Sequence, residues 1–205
     1  MENENISQNT KALNIETLDR CFELLGRDED SVNQILEILK SNKITIKENE
    51  VFYFLIHSCI GGLGNQLMEE KRNYLYNNAI SNFSLLEKNK KYLNYIDEEM
   101  ESSLHGMMVI IGIFKPEVII DVINNIDPKV LCTKNLQNLS LLDYIITQRI
   151  GGNQDLSKVI KKLMDKGVDL DNANKGVLIG LLEPRATLSK ITNVLCAESV
   201  KNGNP

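Results

Sequence analysis

The sequence predicts an all-α fold, an α-solenoid of stacked helical hairpins. Three observations carry that prediction. Apolar residues recur at helical spacing along most of the chain, the helical stretches are short, and one kind of segment returns after an interval. Ser102-Ser103-Leu104-His105 and Ser140-Leu141-Leu142-Asp143 place Leu104 and Leu142 38 positions apart, with two apolar helical patterns and a polar connector between them. A hairpin of this size cannot bury its apolar face alone, so a recurring hairpin implies stacking on its neighbours.

The elements follow in order. Residues 1–14 hold few apolar groups and read as a tail, leaving 15–205 as one repeat domain. Leu18, Cys21, Phe22 and Leu25 fall on one face of a first helix. Gly26 and Asp28-Glu29-Asp30 break and restart the chain, and Val32, Ile35, Leu36 and Leu39 repeat the spacing. Ser41–Glu50 is a polar connector. Val51–Ile60 is nearly all apolar, which fits a helix buried on most sides or a buried strand. Gly61-Gly62-Leu63-Gly64 ends it, and residues 65–100 read as two helices, Leu67–Asn82 and Leu85–Ile96, making this second unit longer by an insertion. Leu104–Ile111 is the next first helix. After a turn at Gly112–Lys115, Pro116 opens its partner, with Val118, Ile119, Val122, Ile123 and Ile126 apolar. Leu142–Ile150, the turn Gly151-Gly152-Asn153, and a helix with Val159, Ile160, Leu163 and Met164 facing inward form the fourth unit. Lys158, Lys161, Lys162 and Lys166 fall largely on the opposite face. A connector at 165–174 leads to a last unit, with short helices at Val177–Leu182 and Leu188–Ser199, that reads as a cap. The units lie at about 15–49, 50–101, 102–138, 139–175 and 176–205.

Bulk properties narrow the functions. The net charge of −5 resides in residues 1–50, with 11 acids against 6 bases, while residues 51–205 balance at 17 each. That argues against a nucleic-acid binder, which needs a clustered positive field. Cys21, Cys59, Cys132 and Cys196 are scattered and read as small buried hydrophobes in a reducing compartment. The start, Met1-Glu2-Asn3-Glu4-Asn5, has no Sec-type signal, and the longest apolar run, Met107–Phe114, is far below the ~20 residues of a membrane span. Heavy use of Lys, Asn and Ile with no Trp fits an AT-rich genome, such as that of a host-associated microbe.

Chemical motifs are sparse. An apolar segment followed by Gly61-Gly62-Leu63-Gly64-Asn65 is the sharpest rival signal, since a strand, a glycine turn and a helix can cradle a phosphate. It lacks both the GxGxxG spacing and the lysine of a P-loop. His57 and Cys59 suggest a nucleophile pair, yet no orienting carboxylate stands nearby in sequence. Two histidines are too few for a histidine-based metal site, and Asp28-Glu29-Asp30 reads as a helix start, not a calcium loop. No cofactor or metal is expected.

Against this background, the openings Ser102-Ser103-Leu104-His105 and Ser140-Leu141-Leu142-Asp143 resemble the Thr-Pro-Leu-His turn of the ankyrin repeat. Gly167-Val168-Asp169-Leu170-Asp171 resembles that family's exit segment, and Val130–Asn138 keeps its spacing, with Asn138 where a glycine usually sits. No Thr-Pro pair occurs, and the resemblance is clearest over residues 102–178. It implies that His105 is structural, bonding the turn it opens. It also implies a non-enzymatic protein–protein interaction module whose partner is another protein, not a membrane or nucleic acid. Such a chain would work in a cytoplasm, its own or that of a host reached as an effector. The expected contact surface is the connector tips: Asn135, Gln137, Asn138, Asp169, Asp171, Asn172 and Asn174. The alternative is a small nucleotide-binding protein or enzyme built on residues 51–65.

Overall fold

The computed structural model describes residues 13–27, 31–60, 69–85, 89–147 and 156–169. Among them the regular structure is helical, and the extended segments meet only in an isolated antiparallel bridge, Ile96 with Ser102. The fold is all-α. No helix among the described residues is long and apolar enough to cross a membrane.

Helix α1 (Ile15–Leu25) begins where the Asn14 side chain accepts from the Thr17 N–H at 2.8 Å, a cap that satisfies one free donor of the first turn. Leu18, Cys21, Phe22 and Leu25 are buried, as their spacing predicts, and Leu24 joins them. A Cβ on Gly26 would lie 3.1 Å from the Ala79 backbone, so this glycine lets the end of α1 touch the fourth helix. Helix α2 (Ser31–Ser41) buries Val32, Ile35 and Leu39 and ends in a left-handed residue, Lys43 (φ 64°), with the Ile44 N–H on the Leu39 carbonyl at 2.9 Å.

A 3-10 turn at Glu48–Glu50 feeds α3 (Val51–Ser58), so the segment that periodicity left open is a helix. Val51 through Ile56 are all buried because neighbours surround the helix. With a helix there, the strand that the nucleotide-binding alternative requires is missing. The glycines at 61–64 lie outside the described residues.

Helix α4 (Glu69–Leu85) runs on past the expected end at Asn82, and α5 (Lys90–Leu93) is a single turn. The predicted helix Leu85–Ile96 therefore does not form as one piece. Asn94 caps α5, and the chain then extends toward Asp97 to make a turn that a helix would prevent. Next come α6 (Ser103–Val109), α7 (Pro116–Asn125), α8 (Pro128–Leu131), α9 (Leu141–Thr147) and α10 (Ser157–Asp165). Pro116 stands at the first position of α7, where a missing N–H costs nothing. In α10, Val159, Ile160 and Leu163 are buried, but Met164 is 47 % exposed, because it sits at the edge of the apolar stripe. The expected terminal cap, 176–205, lies outside the described residues.

Packing sorts the helices into two series. One runs α1 on α4, α4 on α7 and α7 on α10, and the other runs α3 on α6 and α6 on α9. Contacts of α1 with α3, α6 with α7 and α9 with α10 join the two. Helices of about ten residues are marginal alone, so this shared burial supplies their stability. Phe52 stacks on Phe83 with centroids 5.1 Å apart, and Phe22 meets Tyr76 at 4.2 Å. Buried Asn77 on α4 fixes the turn before α7, donating to the Ile113 carbonyl at 2.9 Å and accepting from the Lys115 N–H at 2.7 Å.

Candidate functional site at the stacked connector turns

Two connectors, 97–102 and 135–140, are built bond for bond alike. In the first, the Asp97 carboxylate accepts from the N–H groups of Glu99 (3.0 Å) and Glu101 (2.7 Å). The Asp97 N–H bonds the Glu101 carbonyl at 3.0 Å, and Met100 takes the left-handed conformation (φ 62°). In the second, the Asn135 side-chain oxygen accepts from Gln137 (3.0 Å) and Leu139 (2.9 Å). The Asn135 N–H bonds the Leu139 carbonyl at 3.0 Å, and Asn138 is left-handed (φ 62°). A short Asp or Asn side chain competes well for nearby backbone donors, and that makes these turns. Each of these turn bonds has its counterpart 38 residues on, as do the bounds of α5 and α8 and of α6 and α9.

Each connector ends in a reciprocal helix cap. The Ser102 N–H donates to Nδ1 of His105 at 2.9 Å, and the Ser140 N–H donates to the Asp143 carboxylate at 2.8 Å. Lys47 and Glu50 repeat the bond at the entry to α3, also at 2.9 Å. The third residue reaches back to the capping residue's amide, and Glu, His and Asp all serve. His105 thus bonds the turn it opens. Its Nδ1 is the acceptor, so in the neutral ring the proton sits on Nε2, which is buried without a partner. Ser102 Oγ also lies 3.1 Å from His105 Nδ1, the spacing of a serine–histidine nucleophile pair. The equivalent Ser140 Oγ donates to Asp143 at 2.7 Å, however, and all four side chains are buried. The contact is a cap.

The connectors also bond to each other. The Leu136 N–H reaches the Glu99 carbonyl at 3.1 Å, and the Asn135 amide donates to Glu101 Oε1 at 3.0 Å. The hydroxyls of Tyr144 and Tyr53 donate to Glu101 and Asp97 respectively. Burial first, and the adjoining carboxylate second, push both phenols well above their ordinary range, so both remain donors. Behind them the His57 ring stacks on Tyr53 at 4.0 Å, with Nε2 3.4 Å from the Ser102 carbonyl. Burial lowers the pKa of His57, and lowers that of His105 to about 4. Cys59 bonds the Leu55 carbonyl of its own helix at 3.3 Å, and burial raises its thiol far from thiolate formation. His57 and Cys59 are therefore each engaged elsewhere.

What remains outward is the tip of each turn. Gln137, Asn138 and Asp169 are exposed. Asn135 is a correction: it is 6 % exposed, since its amide is spent on the turn and on Glu101. Asp171, Asn172 and Asn174 lie outside the described residues. Sequence reasoning missed Met100 (41 % exposed) and Leu136 (67 %) at the tips. Their apolar character pointed inward, although aligning the two connectors at 38 residues would have placed both in the turn. Cys132 is also exposed rather than buried, since it closes the short helix α8 at the surface. Among the described residues no three His, Cys, Asp or Glu groups are gathered to hold a metal. Comparison with protein families, curated proteins and solved structures finds no match for this chain.

Proposed function

We propose that the chain is an ankyrin-like solenoid acting as a non-enzymatic protein–protein interaction module, with the connector tips as its contact surface. The observation that supports this most is the division of labour inside each connector. Asp97 and Asn135 spend their side chains on fixing the turn, while Met100, Leu136, Gln137 and Asn138 are left outward on a rigid frame. A preorganised tip costs little ordering entropy when it meets a partner. Two turns in register offer such a partner a continuous edge. The composition bias extends the reading to an effector that occupies a host protein, a step from architecture to role.

Affinity capture from host-cell lysate tests the reading when two baits are compared. One bait is the natural chain, and the other carries Leu136→Ser, Gln137→Ala and Asn138→Ala. A prey retained by the first, lost from the second, and lost with no change in melting temperature is the expected result. Identical prey on both baits overturns the assignment of the surface.

A further inference from the structure

The first connector tip is acidic, the second (135–140) holds no charged residue, and α10 is mainly basic. Exposed Met100 and Leu136 are bordered by Glu98 and Glu99, which stand in no ion pair among the described residues. On α10, Lys158 and Lys161 are exposed and Lys162 is half-buried, all on the side opposite the buried Val159, Ile160 and Leu163. Met164 lies exposed at the edge of that face, and Asp165 is its single carboxylate. These lysines also have no ion-pair partner among the described residues. Each surface therefore sets apolar side chains among charges that have no ion-pair partner among the described residues, and the charges of the two surfaces are opposite.

We propose that the two surfaces are complementary halves of a head-to-tail contact between copies of this chain. The tips of one copy seat on α10 of the next. Glu98 and Glu99 face the lysines, and Leu136 and Met100 lie against Met164. Because two different patches meet, the contact is heterologous, and each added copy presents a free tip and a free α10. Association then grows open-ended instead of stopping at a dimer. It shares the tips with the partner-binding reading but does not depend on it.

Sedimentation equilibrium of the full chain over a wide concentration range tests this. In about 0.1 M salt the weight-average mass should climb past twice the chain mass of 23.2 kDa. In about 1 M salt, where the screening length falls from about 10 Å to about 3 Å, it should return to one chain. Glu98→Lys with Glu99→Lys, and separately Lys158→Glu with Lys161→Glu, should each give monomers that keep the natural melting temperature. Mixing the two variants should restore growth, with copies alternating, since the reversed tip of one faces the reversed helix of the other. A mass fixed at one chain in low salt, growth unaffected by either reversal, or failure of the mixture to associate each overturns the proposal. A monomeric chain that still captures a partner through Leu136 overturns it while leaving the partner-binding reading intact.

Discussion

His105 and Asp143 occupy equivalent places in successive units, and each accepts the backbone N–H of a serine three residues earlier. One is a base that must be neutral to accept; the other accepts as a carboxylic group. Their neighbours differ as well. Position 106 is a glycine, and the equivalent position 144 is a tyrosine whose hydroxyl reaches Glu101. The repeat therefore preserves a pattern of bonds and not a set of residues. What each position must supply is an acceptor, a turn or a filled volume, and several side chains can supply it.

The largest effect should come where the two units agree. Leu104 and Leu142 are both fully buried at the start of their helices. Leu104→Ala and Leu142→Ala should each cost about 2–5 kcal/mol, the range for a deleted core leucine, measured by urea unfolding. A single transition that shifts as a whole in both variants would mean the two units melt together. A loss at one position only would divide the molecule into independently unfolding parts.

The next effect comes where the caps differ. Burial lowers the pKa of His105 from 6.5 to about 4, so between those values the unfolded chain binds more protons than the folded one. The stabilising contribution is complete above pH 6.5 and is lost as pH falls toward 4. It amounts to about 3 kcal/mol, at about 1.4 kcal/mol per pKa unit. His57, lowered by the same cause, adds in the same direction. His105→Asn keeps an acceptor for the Ser102 N–H but cannot titrate, so its stability should fall less between pH 6.5 and 4 than that of the natural chain. An unchanged slope would place the acid sensitivity elsewhere.

Much of this comparison is legible in the sequence, and the reason for the rest is physical. The serine openings follow from helix-start chemistry, which is local, and the structural role of His105 from the resemblance to the ankyrin turn. The buried faces of α1, α2, α7 and α10 follow from spacing, apart from Leu36, half-buried on α2, and Met164 at a stripe edge. The turn at Asp97 is not legible. In Asp97-Glu98-Glu99 the acid that folds the turn and the acids that face water are the same chemical type. Asp97 alone accepts from two backbone donors of its own turn, and the Tyr53 hydroxyl from a distant helix, a tertiary contact, singles it out from its two neighbours. Helix α5 stops after one turn for the same reason, because the connector needs an extended entry. The pair Glu50 and His105 hides a repeat of the cap, since the insertion stretches that interval to 55 residues.

Gly106 and Tyr144 allow a smaller test. A Cβ at 106 would meet His57 Nε2 at 2.8 Å and Ile56 Cγ2 at 3.0 Å. Gly106→Ala should therefore destabilise by about 1–3 kcal/mol, the usual cost of overpacking, despite alanine's better helix propensity. Removing the obstacle with His57→Ala should make the double variant less costly than the sum of the two singles, as expected for neighbours that share a volume. Additive losses in thermal unfolding would show that the ring is not what glycine accommodates.

The smallest effects come from exchanging the residues that fold the two turns. Asp97→Asn keeps the oxygen that accepts from Glu99 and Glu101, and its new amide faces the Tyr53 hydroxyl, whose oxygen can accept. The cost should stay below about 1 kcal/mol, since one hydrogen bond replaces another. Asn135→Asp keeps the bonds to Gln137 and Leu139 but sets a carboxylate where an amide now donates to Glu101 at 3.0 Å. Two carboxylates at that distance cannot both ionise without penalty, and one must hold a proton with a raised pKa. The loss should be about 1–2 kcal/mol at neutral pH, where both unfolded groups are charged, and should shrink as pH falls and the pair takes up its proton. Melting temperatures at pH 7 and pH 5 read the difference directly. Equal costs for the two exchanges would mean that Glu101 does not discriminate between them, and that the connectors are alike in energy as well as in form.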